Sequence, residues 1–269
     1  LRRIVAPNPN MYTGWGTGTY LLGRGTVAVV DPGPDDVAHI GAILDAVRDE
    51  RVSHVLVTHT HADHSPASRA VAAATGATVV GYGSHPTSAE DDSEEHGDVD
   101  FAPDLRVTDG DVVVVGDHEI ECLHTPGHIS NHLCYADRTT GALFPGDHVM
   151  GWSTTVVSPP DGDMAAYVAN LRRLLDRDDS VYFPTHGPQI EDPRRYVASL
   201  VEHREERDRQ ILAQLAGAPR RIAELVEVLY ADVRAELHVP AARSVEAHLV
   251  ALRGSGMVTS DGDRYRLAW

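Results

Sequence analysis

Lysine is absent: all 23 basic residues are arginine, set against 40 acids for a formal charge of −17. No function is drawn from the choice of arginine, but the net charge matters. Polyanions meet a repulsive long-range field, which weighs against nucleic acid as the main partner without excluding a local basic patch. Cysteine is almost absent too. Cys122 and Cys134 have no CxxC-type neighbour, so a cysteine zinc site is not expected, and two buried free thiols are expected rather than a disulfide. No apolar run approaches the ~18 residues of a membrane span. The opening "LRRIVAPNPNMYTGWG" has no apolar stretch of signal-peptide length, and the absence of an initial Met leaves room for an upstream segment. Cytoplasm is the expected compartment. There is no internal repeat.

What remains is a length of 269 residues and 42% hydrophobic content, enough for one large domain with a small appendage. "TVAVVDPG" reads as a buried strand ending in a turn, and Val37, Ile40, Ile43, Leu44 and Val47 form a helical stripe. "VSHVLVT" and "ATVVGY" are further strands. Between them Ser65 is the expected N-cap, Pro66 the first helical residue and Gly76 the stop. Residues 90–100, "EDDSEEHGDVD", hold seven acids and read as a solvated loop. Short strands dominate 105–147. Helices are expected over Met164–Leu175 and about Pro193–Leu215, separated by the strand "SVYFPTHG". Strands in two β-rich halves with helices between them suit an α/β layered sandwich. Past Gly217 the composition changes to two short amphipathic helices and a C-terminal hairpin. A domain over 1–216 followed by a winged-helix-like module over 217–269 is expected. That module carries seven arginines and seven acids over 218–269, a balance that favours a structural or dimerising role over nucleic-acid contact.

The chemistry sits in "HVLVTHTHADHSPAS". His59 and His61 are two apart at a strand end, so both imidazoles point to one side. Asp63 and His64 follow as the backbone turns into the next helix. Three imidazoles and a carboxylate in six residues point to metal binding. One cluster does not complete two coordination spheres, and further ligands follow at turns after apolar strands: His128 in "HTPGHISNH", Asp147 in "FPGDHV" and His186 in "YFPTHGP".

With "THTHADH", "TPGHISNH", "PGDHV" and "PTHGP" in this order, residues 1–215 resemble the metallo-β-lactamase superfamily. The branch called β-lactamase-like protein 2 is the closest, given "NPNMYTGWGTGTYLLG", "GWSTTV", "EHREERDRQIL" and the winged-helix end. The resemblance implies a four-layer αββα sandwich. It implies that His59, His61 and His128 hold one metal, that Asp63, His64 and His186 hold a second, and that Asp147 bridges both. Asp31 matches an early aspartate of structural or supporting role. The donor set suits two Zn(II), with Mn(II) or Fe(II) as alternatives. Asp63 and Asp147 are the expected catalytic carboxylates, acting with a metal-bridging hydroxide. The chain departs from the family pattern at Gly18, where relatives often carry Asn. "HADH" also departs from the true β-lactamases, whose second site often uses Cys.

His132 and His124 flank a ligand and are expected to hydrogen-bond the ligands, with proton transfer as the alternative role. His148 is expected to face away, and His39, His54, His85, His96, His118, His203, His238 and His248 to be ordinary surface or core residues. Tyr12, Trp15 and Trp152 sit in segments the family places near the cleft, with pocket lining and plain packing both open.

The favoured reaction is hydrolysis of an ester, thioester or lactone in a small-molecule substrate. The alternative is a metal-dependent endoribonuclease on single-stranded RNA, which a negative chain makes harder to build. A hydroxyacylglutathione hydrolase ranks third, because its C-terminal region differs. A non-catalytic, metal-stabilised DNA-binding regulator ranks below these. No membrane partner is expected, and a dimer is allowed.

Overall fold

The β-branched runs of the N-terminal half build one mixed sheet in the order β1 (Arg2–Val5), β2 (Gly18–Arg24), β3 (Thr26–Val30), β4 (Arg51–Leu56), β5 (Thr78–Gly81) and β6 (Leu105–Arg106). β1, β2 and β3 run antiparallel, while β3 to β6 are parallel. The parallel part needs crossovers, supplied by α1 (Val37–Ala46) and α2 (Ala67–Thr75). The computed structural model describes residues 1–85, 97–232, 234 and 237–269. A second sheet runs in the order β11 (Val181–Tyr182), β10 (Ala142–Phe144), β9 (Leu133–Asp137), β8 (His118–His124) and β7 (Val112–Val115).

Alternation along the strands makes the sandwich. Tyr20, Leu22, Ala28 and Val30 meet Ile120, Leu133, Tyr135 and Phe144 between the sheets. The other faces of the same strands, with Leu21, Val27, Val29 and Val55, pack against Ile43 of α1 and Val71 of α2. Cys122 and Cys134 are both free and buried, as expected.

These strands lie in one compact unit, residues 1–125, 131–155 and 177–193. A second unit comprises 126–130, 156–176 and 194–269. It holds α3 (Met164–Leu175), α4 (Pro193–Leu215), α5 (Ile222–Leu229), α6 (His238–Gly254) and the hairpin β12 (Val258–Asp261) and β13 (Arg264–Leu267). Ile211, Leu215, Leu225, Val245, Leu249 and Val258 form its core. Asp163 caps α3 by accepting Ala166 N–H. Arg220 and Tyr265 exchange backbone hydrogen bonds beside the hairpin, completing the winged-helix pattern. Arg221, just before α5, pairs with Asp263 of the hairpin turn at 2.9 Å, and Arg264 of β13 with Glu224 at 3.6 Å. Among the described residues, no helix is long and apolar enough to cross a membrane.

Three expectations change. Ser65 does not cap α2: Pro66 occupies the cap position in helical geometry without a side-chain bond, and the Ser65 hydroxyl donates to Asp98 Oδ2 at 2.9 Å. Most of the acidic run 90–100 lies outside the described residues. Within it, Asp98 is buried rather than solvated, paired with Arg69 at 2.9 Å. The strand expected in "SVYFPTHG" is only Val181–Tyr182, with one further backbone bond from Phe183 N–H to Leu143 O at 2.8 Å.

Candidate metal centre

The His-rich stretch folds back on itself where β4 ends. His64 N–H donates to His61 O at 3.0 Å and Ser65 N–H to the same carbonyl at 3.3 Å, a turn that leads into α2. His59, His61 and His64 are buried, while Asp63 keeps its side chain 26% exposed. The loops after β10 and β11 bring Asp147 and His186 to the same end of the first unit. The ligand atoms of Asp63, His64 and His186 lie within 4.8 Å of one another, as do those of His59, His64 and Asp147. His59 Nε2 and His61 Nδ1 face each other at 2.9 Å.

Asp31 organises this end. It is buried in a left-handed conformation, φ +46°, which a short polar residue tolerates better than a branched one. Its Oδ1 accepts Thr58 N–H at 2.8 Å. Its Oδ2 accepts the Thr58 hydroxyl at 2.8 Å, His64 Nδ1–H at 2.9 Å and the Thr185 hydroxyl at 3.0 Å. Each threonine immediately precedes a candidate ligand, so one carboxylate fixes the backbone at His59 and His186 together.

Asp147 is held by its backbone. Its N–H donates to His132 Nε2 at 3.2 Å, and its C=O accepts the Thr155 hydroxyl at 2.7 Å. The donated N–H makes Nε2 the acceptor, so His132 Nδ1 carries the proton and donates to the Thr125 hydroxyl at 2.9 Å. The side chain of Asp147 places Oδ1 3.5 Å from His64 Nε2 and 3.4 Å from His186 Nε2. Asp63 Oδ2 accepts the Thr17 hydroxyl at 2.9 Å and lies 3.2 Å from His186 Nε2.

The electrostatics follow from this crowding. Burial disfavours the Asp63 carboxylate, but the charge of His64 and the hydrogen bond and charge of His186 outweigh it and hold the carboxyl well below its usual range. Burial likewise opposes protonation of His64 and His186. The carboxylates around them prevail and raise both imidazoles.

The donor set fits divalent cations. His64 Nε2 is buried and makes no hydrogen bond, an arrangement that calls for a further partner. His64 donates through Nδ1 to Asp31, and His186 Nδ1 lies 3.4 Å from Gly16 O. Each ring is thus anchored through Nδ1 and turns Nε2 toward the carboxylates of Asp63 and Asp147, the second-partner pattern of metal-binding imidazoles. His128 is carried on the 126–130 segment of the second unit, where Nδ1 meets Val156 O at 2.6 Å, the same pattern.

Among the flanking histidines, His132 supports Asp147. His124 stacks on Tyr82, centroids 4.2 Å apart, with Arg106 also over the Tyr82 ring. His148 is buried, 5.9 Å from the His132 ring. His85 is not the isolated residue expected: its Nδ1 meets the Thr60 hydroxyl at 2.8 Å and its ring lies 6.3 Å from that of His61. The signal was available, since "GYGSH" is another glycine-marked strand end. Thr17, Thr58, Thr155 and Thr185 were missed altogether. Gly18 is explained by Arg3, whose guanidinium fills the space a side chain there would need while donating to Gly187 O at 2.7 Å and Thr185 O at 3.1 Å.

Comparison with known proteins agrees with this geometry. Residues 12–186 match the model of the metallo-beta-lactamase superfamily, and residues 222–269 match the beta-lactamase associated winged helix domain. A Drosophila melanogaster protein described as a beta-lactamase-like protein 2 homolog is 30% identical, covering 94% of this chain and 88% of its own. An atrochrysone carboxyl ACP thioesterase from Aspergillus chevalieri is 28% identical, covering 88% of this chain and 72% of its own. The solved structure of a beta-lactamase domain protein from Burkholderia ambifaria superposes with a TM-score of 0.81 at 23% identity, over 99% of this chain and 90% of that one. This chain is thus a hydrolase of the metallo-β-lactamase superfamily, bearing the winged-helix domain associated with it.

Proposed function

We propose that the chain hydrolyses an ester, thioester or lactone bond in a small-molecule substrate with two zinc ions. In this reading His59, His61 and His128 hold one cation, Asp63, His64 and His186 the other, and Asp147 both. The observation that carries it is the convergence of imidazole and carboxylate donors around the orphaned His64 Nε2. Imidazole with carboxylate suits zinc, and manganese or iron are the alternatives. Such a pair of cations supplies Lewis acidity and a water of lowered pKa. The chain's own groups do the rest. Asp63, pinned by Thr17, orients the attacking water through its carboxylate. His132 and Thr155 keep Asp147 in register. Asp31 fixes the tautomer of His64.

The thioesterase name of a relative covering most of this chain supports an acyl substrate. The formal charge of −17 and the pairing of Arg221 and Arg264 with acids speak against a polyanion. We keep 1–216 as the catalytic domain and 217–269 as the winged-helix domain, the latter serving structure or self-association, in a soluble cytoplasmic protein.

The test is metal quantitation on the purified protein, with a screen of thioesters, lactones and single-stranded RNA. Two cations per chain and thioester or lactone turnover that disappears in Asp63→Ala and His128→Ala are expected. Hydrolysis that survives Asp63→Ala would refute the assignment. RNA cleavage lost in the same variant, without acyl turnover, would establish the ribonuclease instead.

A further inference from the structure

Most large apolar side chains of the first unit are buried, yet Trp15 is 81% exposed, Met11 50% and Trp152 45%. Single exposed apolar residues are ordinary, but two exposed tryptophans on loops that touch each other are informative. The backbone beside each tryptophan is bonded to the same candidate ligand, His186. Trp15 precedes Gly16, whose carbonyl lies 3.4 Å from His186 Nδ1. Trp152 follows Gly151, whose N–H donates to His186 O at 2.8 Å. The two are also joined to each other, because Gly14 lies flat on the Trp152 indole: a Cβ there would stand 3.2 Å from the ring.

The segment that presents Trp15 and Met11 is not slack. Asn10 Oδ1 accepts the N–H groups of Tyr12 and Thr13 at 2.7 and 2.9 Å. The Thr13 hydroxyl donates to Asn8 O at 2.6 Å, and Asn8 Oδ1 accepts Thr17 N–H at 2.9 Å. Thr17 then donates to Asp63. A cross-bonded loop thus ends on a candidate catalytic carboxylate and holds its aromatic tip in water. The geometry points to an acyl-binding ledge: Trp15, Trp152 and Met11 take the uncharged apolar acyl group of the substrate whose carbonyl lies at the metal centre. The ledge therefore selects long or aromatic acyl chains over acetyl. This deepens the hydrolase reading and rests on it.

The chemistry favours this occupant. A flat indole gains most from alkyl or aromatic surface, the charge of −17 disfavours anionic groups, and the backbone beside each tryptophan bonds His186. Full burial of one methylene corresponds to about fourfold in affinity. An open ledge covering half of it gives about twofold, hence roughly 16-fold in kcat/KM across the four methylenes from acetyl to hexanoyl.

The experiment measures kcat/KM of the metal-loaded protein for acetyl, hexanoyl, decanoyl and benzoyl thioesters of N-acetylcysteamine. It compares wild type with Trp15→Ala, Trp15→Phe, Trp152→Ala and Trp269→Phe. A rising profile is expected, with the hexanoyl-to-acetyl ratio reduced about fourfold or more by either alanine, largely restored by Trp15→Phe and unchanged by Trp269→Phe. In parallel, the S-decyl thioether of N-acetylcysteamine, which cannot be hydrolysed, is titrated against tryptophan fluorescence in the Trp269→Phe background. A blue shift lost in Trp15→Ala supports the ledge even if no thioester is turned over, in which case the thioester assignment fails and the binding site stands. A flat chain-length profile with no fluorescence response overturns the ledge. So does a response to zwitterionic phospholipid vesicles but not to the thioether, which would make the patch a membrane contact.

Discussion

Replacing Asp31 by Asn should destabilise the fold by about 4 kcal/mol, for reasons that can be counted on its four hydrogen bonds. Asn tolerates the left-handed backbone at φ +46°, so the substitution isolates the carboxylate from the conformation. The amide best presents its oxygen where Oδ2 now accepts Thr58, His64 and Thr185. Its NH2 then faces the Thr58 N–H that Oδ1 accepts at 2.8 Å. One buried N–H is orphaned, costing about 1–3 kcal/mol. The three remaining bonds lose their charge assistance, about 1 kcal/mol each, partly offset by relief from burying a charge. A loss of about 4 kcal/mol lowers the melting temperature by roughly 8–15 °C in a chain of this size. Cation affinity should fall about tenfold, because His64 keeps its orientation but loses a charged neighbour. Thermal unfolding and metal titration of wild type and Asp31→Asn measure both. Melting within about 2 °C of wild type would refute the placement of Asp31 as the polar centre of this end of the unit.

Other substitutions probe the supports of the site separately. His132→Leu removes the acceptor for Asp147 N–H and should weaken cation binding about 10- to 100-fold. His132→Gln keeps an acceptor and should restore most of it, and equal affinities for the two variants would contradict the tautomer in which His132 Nε2 accepts. Gly146→Ala should cost about 2–4 kcal/mol. The residue has φ +51°, and a Cβ would stand 2.7 Å from the Thr58 hydroxyl and 2.8 Å from His132 Nε2; a wild-type melting point would show that the turn relaxes. Burial pushes the Cys122 thiol up to about 12, so it should ignore a thiol reagent at neutral pH in the native state, and Cys134, equally buried, should do the same. Both should react in denaturant, and reaction of either in the folded protein would show that this core opens.

The elements with strong periodicity were legible. Met164–Leu175 and Pro193–Leu215 form helices with the expected limits, because their apolar stripes and starting residues agree. The candidate ligands were legible for a different reason: histidine and aspartate beside glycine or proline, after an apolar run, put donor atoms on a rigid turn at a strand end, as a metal site requires. What escaped was the polar wiring. A threonine that hydrogen-bonds a buried carboxylate across 154 residues, as Thr185 does to Asp31, looks in sequence like any other threonine. Ser65 reads as a helix cap from its neighbours alone, and only the fold reveals Asp98 as a better partner.

That wiring also explains why the site lies at this end of the sandwich. Hydrophobic alternation holds the strands of the two sheets face to face, but it stops at the strand ends, where loop backbones need other partners. Asp31 closes β3, Thr58 follows β4 and Thr185 follows β11, and the three meet at one carboxylate. From the second sheet, Leu133 N–H donates to Thr58 O at 2.7 Å and the Tyr135 hydroxyl to Val57 O at 2.8 Å. The loop bearing His59 is thus fixed by bonds from both sheets before any cation is considered. A buried carboxylate is costly unless cationic or hydrogen-bonding groups surround it. The imidazole of His64 is one of the groups that meet this need, and the same ring presents Nε2 to Asp63 and Asp147. Closing the sandwich and orienting a candidate ligand are therefore one set of interactions, which is why Asp31→Asn should disturb stability and cation binding together.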